Sequence, residues 1–269
     1  MIQKLNPILK EAKKKNRAVG AFTATNFEVL RAIIEVAEKR NEAVIIKHSF
    51  AYEDEAPLKY MGAAIIELSK KSKVDICPML DHCKDLAYTK DGLKMGFTAV
   101  MYDGTGLSID DNIKIGNEMV DLAKSADANI EAGIRVDLDY TSGDGKIKNM
   151  DEILKFVRDV DVDALAPLFF NKVSNPGEYG MNFKAFKEIA EKTNLPLVLH
   201  GAGHMPKEYI KTAIESGISK INYFSVAGIN ELQHYIKKNP EFSFAAMINH
   251  FVNAVARDID EAMGIMANK

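Results

Sequence analysis

An aspartate and a histidine stand side by side at Asp81 and His82, directly after an apolar run that ends at Leu80. A carboxylate can transfer a proton and an imidazole can bind a metal ion, so this pair could bring both activities to one place. A structural interpretation is also open and is favoured by the dipeptide alone, in which the aspartate caps the next helix and the histidine is an ordinary hydrogen-bonded residue. The dipeptide therefore identifies candidates without deciding between the two.

Two later apolar runs also end in polar residues. One run leads to His200, which is followed by Gly201 and Gly203, and the other leads to Asn222 and Ser225. Glycines bring backbone N–H groups close to a ligand, and a glycine turn ahead of a helix can hold a phosphate. Glycine turns and strand-end asparagines are also common as purely structural features. The three sites are more informative together, because a parallel barrel would bring all three strand ends to one mouth.

The elements that would position these residues follow a repeating pattern of short apolar runs and longer amphipathic stretches, which is typical of βα units around a parallel sheet. Eight such runs predict a (β/α)8 barrel of the TIM type, which a chain of 269 residues with 47% hydrophobic content can fill as one domain, residues 1–269. The predicted strands are Ala18–Phe22, Ala43–Lys47, Asp75–Leu80, Ala99–Tyr102, Asn129–Gly133, Ala164–Phe169, Leu197–His200 and Lys220–Tyr223.

Helices are predicted between the strands and in an additional segment at the carboxyl end. Several begin after residues that favour helix amino-terminal caps, namely Asn26, Ser108 and Asn182. The predicted helices include Phe27–Arg40, Pro57–Ser72, Ile109–Lys124, Met150–Val160, Phe183–Thr193, Pro206–Ser216 and Phe242–Met266. Two loops, Asp139–Lys148 and Asn171–Met181, follow the fifth and sixth strands and are either mobile lids over the barrel mouth or ordinary surface loops.

Charge and composition exclude several classes of function. A net charge of -3 gives no field that would favour nucleic acid or an anionic membrane surface. No apolar run approaches the roughly 20 residues of a membrane span, and the opening segment lacks an apolar signal core, so we expect a cytoplasmic protein. Cys77 and Cys83 have no partner pair and are expected to be reduced thiols.

Five motifs together carry a resemblance to a known family. In chain order the sequence resembles the class II fructose-bisphosphate aldolases, and the resemblance extends from about residue 17 to the carboxyl end. The motifs are Val19-Gly20-Ala21-Phe22 with Asn26, Asp81-His82, Gly96 to Gly104, Leu197 to Gly201, and Lys220-Ile221-Asn222.

The resemblance implies a lyase that cleaves a phosphorylated ketose to a dihydroxyacetone-phosphate-type fragment and an aldehyde. Zinc would polarise the carbonyl and stabilise the enediolate, and Asp81 would be the acid/base on the substrate hydroxyl. His82 and His200 would be metal ligands, with His204 as a candidate third. Substrate contacts are expected from Asn26, Ser49, Gly201, Gly203, Asn222, Ser225 and Arg257.

The sequence also departs from the family pattern. Gly133 stands where the family has the second Glu of a Glu-x-Glu, near the metal, and the Phe170 to Ser174 segment lacks the family histidine that binds the metal. The phosphate motifs have lost a serine and an aspartate as well. Because catalytic zinc sites normally have three protein ligands, two imidazoles alone should hold the ion weakly. The substrate is therefore expected to differ from fructose 1,6-bisphosphate.

Other side chains offer alternatives for the missing groups. Three residues could supply a third ligand: His48 after the second predicted strand, Asp103 after the fourth, and His204 four residues beyond His200. Structural roles are also open, with His204 at a helix entry and His48 hydrogen-bonded to a neighbouring loop. Lys172 and Lys47 occupy positions where the family has no lysine, so a metal-free route is also open. A lysine with a lowered pKa can form a Schiff base with a ketose carbonyl, although most lysines are simply solvated.

The sequence also suggests roles for two arginines, one of which bears on the oligomeric state. Arg135 either binds an anionic group or pairs with the neighbouring aspartates, and pairing is favoured. Arg257 resembles a family arginine that reaches the phosphate site of a neighbouring subunit, which implies a homodimer or larger homo-oligomer. A different class of function is a barrel that binds a sugar phosphate without catalysis, and the retention of Asp81, His82 and His200 argues against it.

Overall fold

Eight parallel strands close into a barrel whose outer surface is covered by helices. The structure, a computed structural model, describes residues 1–83, 85–139, 145–169, 182–225, 227–239, 241 and 243–268. The strand order around the barrel is β1-β10-β9-β8-β5-β4-β3-β2. The predicted (β/α)8 barrel with additional carboxyl-terminal helices is confirmed.

All eight predicted strands are present, and several extend further than the sequence pattern indicated. The barrel strands are β1 (Val19–Thr23), β2 (Val44–Ser49), β3 (Ile76–Cys83), β4 (Ala99–Asp103), β5 (Asn129–Val136), β8 (Ala164–Phe169), β9 (Leu197–Leu199) and β10 (Ile218–Tyr223). The remaining two, β6 (Leu138–Asp139) and β7 (Lys146–Ile147), pair antiparallel and overlap the predicted loop 139–148, of which residues 140–144 lie outside the described residues. The other predicted loop, 171–181, lies outside the described residues.

Side-chain caps start helices at the three positions that the sequence predicted. Asn26, Ser108 and Asn182 each accept a hydrogen bond from a backbone N–H in the first helical turn. The helices are α1 (Leu5–Lys14), α2 (Phe27–Arg40), α3 (Leu58–Lys71), α4 (Leu86–Met95), α5 (Ile109–Ser125), α6 (Met150–Asp159), α7 (Phe183–Thr193), α8 (Lys207–Glu215), α9 (Ala227–Lys238) and α10 (Phe244–Met266), with short 3-10 turns η1 (Phe50–Tyr52) and η2 (Ala202–His204). No helix in the described ranges is both long and apolar enough to cross a membrane.

The barrel interior changes from apolar to polar along its axis. Near the strand starts it is filled by small and medium apolar side chains such as Ile45, Cys77 and Val198, and α1 covers that end with Leu5 and Leu9. At the opposite end the inward side chains are polar or charged and almost fully buried, and they include Lys47, Asp81, Glu131, Lys220 and Asn222. The apolar layers form a closed base, so the chemistry is confined to the carboxyl face of the strands.

Candidate active site

The alternation of β2 decides which of its polar residues faces the barrel interior. Ile45 belongs to the interior cluster, so Lys47 and Ser49 also point inward, while His48 points toward the surrounding helices. His48 is buried there, with Nδ1 2.6 Å from the Tyr88 hydroxyl and Nε2 2.7 Å from the carbonyl oxygen of Ala56. Both ring nitrogens therefore have partners away from the barrel mouth, and burial lowers the pKa of His48. His48 is not positioned as a metal ligand.

A bulge at the end of β3 brings two consecutive side chains to the same cavity. Strict alternation would send Asp81 inward and His82 outward. The pairing with β4 shifts between Leu80 and Cys83, where three steps along β3 match two along β4, and His82 has a left-handed φ of 56°. Such a backbone costs a non-glycine residue about 1–3 kcal/mol and is concentrated at functional sites. Because of the bulge, both side chains of the Asp-His dipeptide face the cavity.

Lys47 and Asp81 form an ion pair at the floor of the site. The Lys47 Nζ lies 2.5 Å from Oδ2 of Asp81, and both side chains are 4% exposed. Burial alone would raise the pKa of Asp81, but the Lys47 ammonium, together with His200 and His82, outweighs it and holds that pKa below its usual range. Burial lowers the pKa of the Lys47 amine, and Asp81 offsets part of that effect. The other carboxylate oxygen, Oδ1, makes no hydrogen bond within the described part of the chain.

His82 is oriented by Asp103, which ends β4. The His82 Nδ1 lies 3.1 Å from Oδ2 of Asp103, so Nδ1 carries the proton and Nε2 keeps a lone pair. This hydrogen bond is the main reason that the pKa of His82 is raised, although burial opposes it. A carboxylate behind an imidazole is the usual partner of a metal-binding histidine. Asp103 is thus placed behind His82 and not beside it as a further ligand.

His200 is oriented by a second buried network that joins β5, β9 and β10. Its Nε2 lies 3.2 Å from Oε1 of Glu131, and the Asn222 amide nitrogen lies 3.2 Å from its Nδ1. Lys220, fully buried, reaches Oε2 of Glu131 at 2.8 Å and Oδ1 of Asn222 at 2.6 Å. Burial by itself raises the pKa of Glu131, but the Lys220 ammonium outweighs it and lowers that pKa. Burial lowers the pKa of His200, which favours a neutral ring.

The two networks converge on one cavity at the barrel mouth. Ligand atoms of Asp81, His82 and His200 all lie within 4.8 Å of one another, and the two imidazole ring centroids are 5.2 Å apart. The cavity has a volume of about 240 Å³. Two imidazoles and one carboxylate at this spacing are a donor set suited to a divalent ion such as zinc, with a proton-accepting carboxylate oxygen in the same space.

The structure brings part of the predicted substrate set to this cavity. Ser49, Gly201, Gly203 and Asn222 line it together with the three candidate chemical residues. Gly201 has a left-handed φ of 79°, and its α-carbon opens onto empty space, so a side chain there is disfavoured by the backbone and not by crowding.

Other predicted site residues lie elsewhere or cannot be placed. Asn26 caps α2, and Ser225 and Arg257 are not among the described residues that line the cavity. His204 belongs to η2 by its backbone, but its side chain lies outside the described set, and Lys172 lies outside the described residues altogether. Arg135 pairs with Asp137 at 2.9 Å, as the sequence favoured.

Sequence reasoning missed the parts played by three charged side chains. Glu131 has no role among the expectations from the sequence, Lys220 enters them only as part of a motif, and Lys47 enters them only as a possible nucleophile. The available signal was a charged residue at an inward position of an otherwise apolar strand, because such a residue must find a buried partner. That partner is Glu131 for Lys220 and Asp81 for Lys47.

A family model described as fructose-bisphosphate aldolase class-II matches residues 3–269. The chain belongs to that family. It is therefore an aldolase, a lyase that cleaves carbon–carbon bonds.

Two curated relatives support the same assignment. A fructose-bisphosphate aldolase of Helicobacter pylori is 31% identical over 81% of this chain and 74% of its own length. A 6-phospho-5-dehydro-2-deoxy-D-gluconate aldolase of Halalkalibacterium halodurans is 32% identical over 81% of this chain and 78% of its own.

A solved structure supports the fold of this aldolase. The crystal structure of the YdjI aldolase from Escherichia coli K12 superposes with a TM-score of 0.84 and covers 99% of this chain and 97% of that one. At 24% identity, this similarity concerns the fold alone.

Proposed function

We propose that this aldolase catalyses the reversible aldol cleavage of a phosphorylated ketose to a dihydroxyacetone-phosphate-type fragment and an aldehyde, assisted by a divalent metal ion. The observation that carries the proposal is the convergence of Asp81, His82 and His200 within 4.8 Å at the floor of the cavity. The reaction needs an acid/base and an electrophile in one small space, and this cluster offers groups for both.

Asp81 is the proposed acid/base. Its Oδ2 is bound to the Lys47 ammonium, which leaves the buried Oδ1 as the oxygen that can act on substrate. In the cleavage direction, Oδ1 accepts the proton of the substrate hydroxyl on the carbon that becomes the aldehyde. The adjacent carbon–carbon bond then breaks, and its electron pair passes into the ketone fragment. In the synthetic direction, Asp81 returns the proton to the new hydroxyl.

His82 and His200 are the proposed ligands of zinc or a similar ion. Nε2 of His82 has a lone pair for this role, since its Nδ1 faces Asp103. Nδ1 of His200 is the corresponding atom, since its Nε2 faces Glu131, and an ion there would displace the Asn222 amide that lies 3.2 Å away. When bound, the ion would polarise the ketone carbonyl as a Lewis acid. Asp81 is close enough to compete for the ion, and His204 remains the predicted third ligand. With Gly133 in place of a family ligand, we expect the ion to be held weakly.

Binding of the substrate is assigned to the polar residues around the cavity. The Ser49 hydroxyl and the Asn222 amide can hydrogen-bond hydroxyl groups, and the turn at Gly201 and Gly203 can approach a phosphate with backbone N–H groups. Lys172 is the further predicted residue. On this proposal it assists binding, so Lys172→Met should reduce turnover only modestly.

A second candidate function is metal-free cleavage through a Schiff base. The observation in its favour is Lys47, a buried amine with a lowered pKa that lines the cavity beside a carboxylate. The amine would add to the ketone carbonyl and release water as an iminium ion forms. Asp81 would carry the protons, and hydrolysis after cleavage would regenerate the lysine.

One set of measurements separates the two routes. The purified aldolase is assayed on ketose phosphates that the names of its relatives suggest, including fructose 1,6-bisphosphate and 6-phospho-5-dehydro-2-deoxy-D-gluconate. The proposal expects bound divalent metal, loss of activity with a chelator and recovery when zinc is restored. Full activity in excess chelator, with a borohydride-trapped adduct on Lys47, would replace it with the Schiff-base route. Absence of cleavage for every substrate with metal restored would refute both.

The proposal also includes a homodimer or larger homo-oligomer in the cytoplasm, which rests on the sequence alone. Light scattering of the purified chain tests the assembly directly. A monomer at micromolar concentration would contradict it.

A further inference from the structure

One side of the cavity is made of aromatic rings. Tyr52 lies in η1 after β2, and Phe224 directly follows β10. Their ring centroids are 5.9 Å apart and their planes are inclined by only 13°. In the barrel order, β1 lies between β2 and β10, so the stacked pair spans the carboxyl end of β1, where Thr23 also lines the cavity. We call this pair the aromatic wall.

The aromatic wall is fixed in place by the turn after β9. A methyl group on Gly203 would collide with the carbonyl oxygen of Phe224, so the glycine allows the backbone at 224 to pack directly against the turn. Gly201, two residues earlier, opens onto empty space instead. The turn therefore has room for a ligand at Gly201 and is closed by protein at Gly203.

The charges around the cavity differ between the wall and the floor. Among the described residues that line the cavity, the one ammonium group is Lys47, and it is already paired with Asp81 at 2.5 Å. The faces of aromatic rings carry the negative part of the ring quadrupole, so they favour C–H groups over anions. A phosphate pressed against this wall would lose water without gaining a cation from the described lining residues.

We propose that the aromatic wall selects the uncharged carbon segment of the substrate, so that this aldolase prefers a ketose with a single phosphate over the corresponding bisphosphate. This inference rests on the proposed function and specifies its substrate class. The phosphate of the substrate lies away from the wall, with the open space at Gly201 as its place. The segment on the wall presents C–H groups to Tyr52 and Phe224.

The test compares phosphate patterns on one carbon skeleton. Values of kcat/KM are measured for the 1-phosphate, the 6-phosphate and the 1,6-bisphosphate of fructose and of tagatose, with dissociation constants measured by titration calorimetry. Wild type should favour one monophosphate over the bisphosphate by at least about 10-fold. Phe224→Leu and Tyr52→Leu should each lower kcat/KM for that monophosphate about 3- to 10-fold, mainly through a higher KM, because each removes one ring of the stacked pair.

Two further variants sharpen the comparison. Phe224→Lys introduces a cation into the wall and should move the preference toward the bisphosphate. Tyr60→Leu, a matched control at a tyrosine that is 68% exposed on α3, should leave every value unchanged. Equal or better use of the bisphosphate by wild type, or unchanged monophosphate values in both wall variants, would overturn the inference while leaving the aldol function intact. If no sugar phosphate is cleaved, the proposed function fails, and the calorimetric constants of the same variants decide the inference separately.

Discussion

Replacement of Lys47 by methionine is the most direct test of how the site is held together. Lys47→Met keeps the length of the side chain and removes its charge, which leaves Asp81 buried without its ion-pair partner. Breaking a buried pair by removing one partner costs about 3–5 kcal/mol, since the remaining charge is uncompensated. A chain of this kind has a free energy of unfolding of about 5–15 kcal/mol, so the loss would be a large fraction of it.

The expected result appears in both stability and activity. Urea unfolding followed by circular dichroism should show the loss of about 3–5 kcal/mol, and the melting temperature should fall by about 10 °C. Circular dichroism is the suitable probe because the chain has no tryptophan. Without the ammonium, burial dominates and the pKa of Asp81 rises. The carboxylate is then ionised only at higher pH, so the acid limb of the pH–activity profile should move upward.

Two controls make the result specific. Lys39→Met removes one of two cationic partners of Asp260 from a surface pair at 3.0 Å in which the lysine is 73% exposed. Because Arg40 still pairs with Asp260 at 2.8 Å, the change should cost less than about 1 kcal/mol. The double variant Lys47→Met with Asp81→Asn removes both charges and should recover much of the lost stability while remaining inactive. A loss below about 1 kcal/mol in Lys47→Met, or a double variant no more stable than the single one, would refute the reasoning.

Three further predictions concern the acid/base Asp81, the carboxylate of Glu131 that orients His200, and the buried His48. Asp81→Asn should lower kcat by about 100-fold or more with little change in the circular dichroism spectrum, and unchanged turnover would remove Asp81 from the chemistry. Glu131→Gln should weaken zinc binding about 10- to 100-fold in a competition titration, because His200 loses its orienting carboxylate, whereas unchanged affinity would mean that the hydrogen bond is incidental. His48 has a lowered pKa, so the unfolded chain binds its proton first and stability should fall as pH drops below about 6.5, the usual value. Between pH 7 and 5, the free energy of unfolding of His48→Gln should fall less steeply with decreasing pH than that of wild type. An identical slope in the two proteins would contradict the lowered pKa of His48.

Local patterns in the sequence were sufficient for the barrel. Strand positions and the caps at Asn26, Ser108 and Asn182 depend on neighbouring residues, which a single sequence displays. The direction of the His48 side chain could not be judged in the same way. Its position after a predicted strand suggested the mouth, but β2 continues to Ser49, and the longer strand places His48 on the outer face.

The site itself was only partly accessible from the sequence. Asp81 and His82 were found by residue type, but the bulge that turns both toward the cavity depends on pairing with β4 and has no local signature. The ion pair of Lys220 with Glu131 links β10 to β5. These two strands are far apart in sequence and are not neighbours in the barrel. Such contacts follow from the stagger of the closed barrel, so residue type alone could not reveal them.

The closure of the barrel has a consequence for how the protein is made. β1 pairs with β10, and the site combines side chains from β2 and β3 with others from β9 and β10. A ribosome delivers β1 long before β10, so one edge of β1 stays unpaired until residues 218–223 emerge. Exposed parallel edges invite pairing with other chains. A chain stopped before β10 should therefore be prone to aggregate, and it would lack Lys220 and Asn222, which hold Glu131 and His200 in place.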